Sequence, residues 1–284
     1  MALNNFTQRL LAGSVYVGLL ATATWLGGVW FMLLCLLLVI LCLQEWFRLA
    51  MPDRAAWFRW LLVLPGIAHF AVEALSEWVY MEQTAFPGSA QLQAFLLFWE
   101  YGPGPIIYLP VFMLLLFSAK TTDLMRDAGV FAMSLFYIAW PLGLLADWNE
   151  VLVFFVFILT WSSDTFAYLA GKAFGRHKIF PRVSPGKTWE GFAGGLVGTV
   201  LVAWVYAHFR DLDMRFVWII APAVHLAGTL GDLTESLIKR NLGVKDSGTL
   251  IPGHGGILDR LDAMLFVIPV TWFLLHYFQI PYLP

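Results

Sequence analysis

Five carboxylates stand in stretches that are otherwise apolar. Asp164 lies in Trp161-Ser-Ser-Asp-Thr-Phe, Asp232 and Glu235 lie in Gly231-Asp-Leu-Thr-Glu-Ser, and Asp259 and Asp262 open a further apolar run. A carboxylate at membrane depth costs a few kcal/mol or more, so it normally has a partner and a task. An ion pair between helices accounts for one such acid but not for all of them together. Asp232/Glu235 and Asp259/Asp262 are each three residues apart, so each pair projects from one helix face. Ser236 and Lys239 continue the first stripe one turn further. Between the pairs runs Asn241-Leu-Gly-Val-Lys-Asp-Ser-Gly-Thr-Leu-Ile-Pro-Gly-His-Gly-Gly, five glycines in sixteen residues. Such a loop lets backbone approach a ligand and feeds a helix N-terminus, a natural anion site. Helix capping explains Asp259 alone, but not the neighbouring Lys239, Arg240, Lys245 and Arg260. Acids alone would suggest a cation path and cations alone an anion site. The mixture suggests hard metal ions holding a polyphosphate.

A second cluster reads Lys172-Ala-Phe-Gly-Arg-His-Lys-Ile-Phe-Pro-Arg-Val-Ser-Pro-Gly-Lys-Thr-Trp-Glu-Gly. Gly186-Lys187-Thr188 has the ending of a nucleotide-binding P-loop, but the glycine that motif requires upstream falls at Pro181. No strand is expected before it either, so the P-loop is rejected. What remains is a basic, hydroxyl-bearing loop leading into a helix, and some of its charge serves only to set topology. His254, between two glycines, is open to two readings, phosphate donor or loop hydrogen-bonder. His69, His208, His225 and His276 show no ligand spacing and read as satisfied structural residues. A Cys/His zinc site is absent.

The elements that must position these groups follow from composition. The chain has 284 residues, 60% hydrophobic and 13% charged, with 14 Trp and 24 Phe. A soluble domain carries charge on about a quarter of its positions, so a soluble globular enzyme, a disordered chain and a coiled coil are excluded. Apolar runs fall at about 10–27, 28–47, 57–75, 101–118, 128–146, 150–171, 190–208, 216–238 and 260–279. The fourth is the weakest, with Pro103, Pro105 and Pro110. Helix is the conformation that satisfies backbone groups in lipid. The expected fold is therefore all-α and polytopic, with about nine transmembrane helices. Placing the N-terminus inside and the C-terminus outside puts 15 of the 17 Lys and Arg on the inner side, leaving only Arg210 and Arg215 outside. The outer loop around 76–100 has no Lys or Arg. Charge is sparse in 1–119 and concentrated in 160–262, which divides the chain into an N-terminal bundle, 1–150, and a catalytic region with cytoplasmic motif loops, 151–284. Arg9 and the apolar run up to Ala21-Thr22-Ala23 imitate a signal peptide, but a second apolar run follows at once and argues against cleavage. Cys35 and Cys42 share a helix face and read as apolar fillers. A net charge of −2 argues against nucleic acid as a partner.

The motif residues together resemble one family. Ser236-Leu-Ile-Lys-Arg, then Lys245-Asp246, then Pro252-Gly-His-Gly-Gly-Ile-Leu-Asp-Arg-Leu-Asp262 is similar to the signature of phosphatidate cytidylyltransferases, also called CDP-diacylglycerol synthases. Ser163-Asp-Thr-Phe-Ala-Tyr-Leu-Ala-Gly and Ser184-Pro-Gly-Lys-Thr-Trp-Glu-Gly support it, and the resemblance covers about 160–265. It implies cytidylyl transfer from CTP to phosphatidate, with magnesium and room for a second cation such as K⁺. It implies that Asp232 and Asp259 bind metal, joined by Glu235, with Asp164 and Asp262 in the outer shell or on the second cation. Lys239, Arg240, Lys245 and Arg260 would hold phosphates. Ser184, Lys187 and Thr188 would contact nucleotide or lipid phosphate with Glu190 positioning them, and Ser236, Asp246, His254, Gly255 and Gly256 would complete the substrate site. The implied partners are CTP, phosphatidate and the bilayer, with a homodimer possible. The expected location is a bacterial inner membrane with the site facing the cytoplasm, since no organelle-targeting segment is present.

Other readings account for less. A CTP-dependent polyprenol or phytol kinase lacks the full His-Gly-Gly-Ile-Leu-Asp-Arg-Leu-Asp stretch. A CDP-alcohol phosphotransferase needs an Asp-Gly pair, and none occurs. An intramembrane aspartyl protease wants Gly-x-Gly-Asp, and position 229 is Thr. A cation-coupled transporter, the reading from a different class, would favour internal repeats with broken helices, and no convincing repeat is present.

Overall fold

The computed structural model describes residues 5–81, 123–251 and 255–281. The chain divides into two compact units, one of Met1–Gly27 with Trp148–Pro284 and one of Gly28–Asp147. Among the described residues, five helices are long and apolar enough to cross a membrane: Gly28–Ala50, Leu124–Ala146, Glu150–Phe174, Trp189–Arg210 and Phe216–Asn241. The chain is a helical membrane protein. The weak apolar run at 101–118 lies outside the described residues.

The unit Gly28–Asp147 is built from α2 (Gly28–Ala50), α3 (Ala56–Met81), α4 (Leu124–Ser134) and α5 (Trp140–Ala146), numbered after α1 (Asn5–Leu26) of the other unit. A π-helical turn, Leu135–Ala139, joins α4 to α5. Cys35 and Cys42 form no disulfide and are fully buried on the inward face of α2. The Trp46 indole donates to the Val130 carbonyl at 2.9 Å. Asp127, buried completely, takes Arg54 Nε at 2.8 Å and Arg126 Nε at 3.1 Å, while Arg126 also reaches Asp53 at 2.8 Å. This network ties the turn after α2 to the start of α4. Sequence reading assigned these charges only to topology.

The other unit contains α1, α6 (Glu150–Phe174), strands β1 (Lys178–Phe180) and β2 (Ser184–Thr188), α7 (Trp189–Arg210), a π turn (Phe216–Ile220), α8 (Ala221–Asn241), α9 (Leu258–Leu261) and α10 (Met264–Tyr277). Its core is aromatic and aliphatic. Phe155 meets Phe216 edge-on with ring centroids 5.3 Å apart, and Val156, Leu159, Ile220, Val224 and Ile268 are also buried. Outward-facing Val197, Leu201, Phe209 and Trp218 stay exposed. An apolar surface of that extent suits lipid rather than water.

Two expectations about this unit are corrected. Residues 178–188 are not irregular loop: β1 and β2 form an antiparallel ribbon with Lys178 opposite Thr188 and Phe180 opposite Ser184, so a strand does precede Lys187. The last apolar run is also not one unbroken helix. Asp262 and Ala263 keep helical dihedrals, but Asp262 Oδ1 takes the Ala263 N–H at 2.7 Å, which interrupts the ladder between α9 and α10.

Candidate active site

α6 begins at Asn149, whose side chain accepts the Leu152 N–H at 2.9 Å. Within it, Ser162 and Thr165 return their hydroxyls to the carbonyls of Leu159 and Trp161, each at 2.8 Å. Such bonds satisfy a hydroxyl inside its own helix. Ser163 instead reaches α8, where it meets His225 Nδ1 at 2.7 Å. Asp164 opens on a cavity of about 370 Å³, which is lined also by Ser163, Lys172, Lys187, Thr188 and His225.

The ribbon and the start of α7 hold each other in place. Thr188 caps α7 by accepting the Gly191 N–H at 3.1 Å, and its own hydroxyl proton remains available to donate. Glu190, in the first turn, accepts the backbone N–H groups of Arg176 at 3.0 Å and His177 at 3.2 Å, and meets His177 Nδ1 at 2.6 Å. The chain leaving α6 is thereby pinned beside the ribbon. α7 lies close against α6 because glycines face it: a Cβ on Gly195 would sit 2.6 Å from His225 Cε1 and 3.0 Å from Ala167 Cβ. From β2, Lys187 reaches Asp232 Oδ2 at 2.5 Å and the Thr229 carbonyl at 3.4 Å.

On α8 the stripe expected from the spacing is formed. Ser236 donates to Asp232 Oδ1 at 3.3 Å, and Lys239 reaches Glu235 at 3.1 Å and Asp259 Oδ1 at 2.5 Å. Asp259 Oδ2 accepts the N–H groups of Ser247 at 2.9 Å and Gly256 at 2.7 Å, so the glycine-rich loop folds onto this carboxylate. Gly255 adopts φ +84, and a Cβ there would stand 2.5 Å from Asp259 Oδ2. Only glycine meets both conditions cheaply. Half-burial alone would lift the Asp259 carboxyl, but Lys239 and the two N–H donors outweigh it and hold the group below the ordinary carboxylate range.

Asp232 acts electrostatically on Asp164 and Asp262, and Glu235 feels both Asp262 and Asp259. The five acids therefore form one chain of neighbours threaded by Lys187 and Lys239. Among the described residues, no three His, Cys, Asp or Glu side chains stand close enough as placed to hold a metal ion. The donor set nonetheless fits magnesium, which takes hard carboxylate oxygens. Glu235 Oε1 is buried with no donor at hydrogen-bond distance, Asp262 lies beside it, and Lys239 meets its other oxygen.

The remaining expected residues lie at the edge of this cluster. Arg240, Lys245, Asp246 and Arg260 are exposed, with Arg240 reaching the Val244 carbonyl at 3.4 Å. Ser184 pairs with Phe180 in the ribbon. His254 lies outside the described residues. His225, expected to be a satisfied structural residue, is only half satisfied: Nδ1 has Ser163, but Nε2 is buried without a partner. A signal for it exists in the sequence, since His225, Thr229, Asp232, Ser236 and Lys239 form one polar stripe at helical spacing.

The cytidylyltransferase family model matches residues 7–278, nearly the whole chain. The chain belongs to that family. This cytidylyltransferase-family protein is also similar to three proteins named phosphatidate cytidylyltransferase. It is 47% identical over 124 residues to that of Haemophilus influenzae, covering 42% of this chain and 43% of the relative. The Bacillus subtilis (strain 168) protein is 44% identical over 129 residues, covering 45% and 48%. That of Staphylococcus aureus (strain COL) is 48% identical over 126 residues, covering 43% and 48%. The matched stretch thus spans less than half the length of these curated relatives.

Proposed function

We propose that this protein transfers the cytidylyl group of CTP to phosphatidate, giving CDP-diacylglycerol and pyrophosphate. The observation that carries the reading is the chain of five acids threaded by Lys187 and Lys239 beside the cavity. Family membership and the names of the relatives support it. In the reaction, an oxygen of the lipid phosphomonoester attacks the CTP α-phosphorus, a new P–O bond forms, and the bond to the β-phosphate breaks. The nucleophile is already ionised at neutral pH, so a strong base is not the main requirement. The obstacle is repulsion between two polyanions.

The residues of the chain address that obstacle. Lys187 and Lys239 now neutralise acids, and each can turn its ammonium to a phosphate while remaining anchored by its backbone. Arg240, Lys245 and Arg260 are exposed and would hold the nucleotide phosphates. Thr188 retains a proton to donate, and Glu190 keeps the ribbon in place under Lys187. Asp232, Glu235 and Asp259 would hold magnesium, with Asp262 and Asp164 beside them and K⁺ as a second cation. When bound, magnesium would offset phosphate charge and stabilise the leaving pyrophosphate.

The same reading places nine spans in a bacterial inner membrane, with the N-terminus inside, the C-terminus outside and the site on the cytoplasmic face. The basic residues support that placement. It assigns catalysis to 151–284 and a supporting bundle to 1–150. Incubation of detergent-solubilised protein with radiolabelled CTP and either phosphatidate or a polyprenol tests the activity. Label should enter lipid only with phosphatidate and be lost on chelation of magnesium. Label in polyprenyl phosphate, or none in lipid, would reject the reading.

A further inference from the structure

Lys172 stands in the last turn of α6 and lines the same cavity as Asp164, Lys187 and Thr188. Its Nζ lies over the Tyr168 ring, 5.8 Å from the centroid, and Tyr168 lines the cavity too. An aromatic face holds an ammonium group by cation–π attraction without neutralising it. In that respect the two lysines differ. Lys187 is neutralised by Asp232 at 2.5 Å. Among the described residues, no carboxylate forms an ion pair with Lys172. Asp164 comes eight residues earlier on α6, about 12 Å along an axis rising 1.5 Å per residue, and the charges that act on it are those of Asp232 and Lys187. Glycine lets Thr188 pack against the end of α6: a Cβ on Gly171 would stand 3.2 Å from Thr188 Oγ1, and one on Gly175 2.9 Å from it. An unneutralised ammonium and a hydroxyl with a proton to donate therefore border one cavity.

The place of Lys172 selects among anions. A lysine in the closing turn of a span lies where lipid headgroups begin, and its long stem reaches that level readily. A cation also suits a helix C-terminus, which accounts for its position in the chain but not for its ring partner in a cavity. Beside it on α6, Tyr168, Leu169 and Phe174 are all exposed. On a membrane-spanning helix such a surface suits acyl chains, so the anion met here carries hydrocarbon. For the nucleotide phosphates there are Arg240, Lys245 and Arg260, between the end of α8 and α9. Resting on the proposed activity, we infer that Lys172, held by Tyr168, binds the phosphomonoester of the lipid substrate and selects it over phosphodiester lipids. A monoester carries about two negative charges at neutral pH and a diester about one, so the added cation favours the monoester.

Two measurements test this role. In the first, rates in detergent micelles are read against phosphatidate at saturating CTP, and against CTP at saturating phosphatidate. Lys172→Gln should raise KM for phosphatidate about tenfold, the worth of one charge-assisted hydrogen bond, and leave KM for CTP unchanged. Lys172→Arg should retain most of the affinity. Tyr168→Phe keeps the ring face and should behave as the parent, whereas Tyr168→Leu should raise KM for phosphatidate several-fold. The second measurement needs no turnover: native mass spectrometry counts dioleoyl phosphatidate against dioleoyl phosphatidylglycerol retained by the purified protein. The parent should favour phosphatidate, and Lys172→Gln should lose the preference. Should Lys172→Gln not fold, the two Tyr168 variants still decide. An unchanged KM for phosphatidate in Lys172→Gln overturns the inference, as does a rise confined to CTP or equal retention of the two lipids by the parent. Lys172-dependent retention of phosphatidate without any transfer from CTP would uphold this site and reject the proposed activity.

Discussion

Lys239 and Lys187 each bridge acids, but their surroundings give them different weights. Lys239 is 13% exposed and lies between Glu235 at 2% and Asp259 at 7%. Lys239→Met would leave two buried acids without their cation, a loss of about 3–5 kcal/mol. Lys187 is 25% exposed and Asp232 is 38% exposed, so water screens their attraction. Lys187→Met should cost under about 1 kcal/mol of stability while lowering turnover at least about 100-fold, as removal of one phosphate-stabilising donor does. Thermal unfolding in detergent and CTP incorporation read the two effects separately. Equal destabilisation by both variants, or undiminished turnover in Lys187→Met, would contradict this division. The stripe from Asp232 to Lys239 was legible in the sequence because helical spacing alone puts those groups on one face. His225 lies on the same stripe but was not read as part of it. A lone histidine in an apolar run looks like core, and its half-satisfied state depends on Ser163, sixty-two residues away.

At the scale of elements, the ribbon shows where local sequence carries too little. β2 is Ser-Pro-Gly-Lys-Thr, and proline and glycine are poor strand formers. Three residues of β1 offer no usable alternation either. What holds the pair is Glu190, which belongs to the next helix and collects the N–H groups of Arg176 and His177. Glu190→Ala removes the acceptor that both N–H groups share and should loosen 175–180 without unfolding α7, whose cap is Thr188. Trypsin should then cleave after Arg176 or Lys178 several-fold faster than in the parent, with turnover falling because Lys187 loses its platform. Unchanged cleavage would show that the ribbon stands without Glu190. The apolar runs that became helices were legible for the opposite reason. In lipid the backbone must bond within its own segment, so length and composition nearly suffice.

For the whole molecule, the distribution of charge makes a claim about sidedness. Motif residues from Lys172 to Lys187 and from Lys239 to Arg260 carry most of the cations of the chain, and carrying that much charge across a bilayer is costly. Both groups should therefore face the cytoplasm, where CTP is available. The chain offers a clean way to ask. Its two native cysteines, Cys35 and Cys42, form no disulfide and are fully buried, so they contribute little background to thiol labelling. Reporters placed by Ser184→Cys, in the ribbon, and Lys245→Cys, in the exposed stretch after α8, should then dominate the signal. A membrane-impermeant maleimide applied to intact cells should leave both unlabelled, while inside-out vesicles should label both. An outer-loop control, Asp211→Cys beside the exposed end of α7, should give the reverse pattern. Ready labelling of 184 or 245 from outside would invert the sidedness and separate the lysines from their nucleotide. Opposite results at 184 and 245 would mean that α7 and α8 do not return the chain to the same side, which their lengths of 22 and 21 residues otherwise allow.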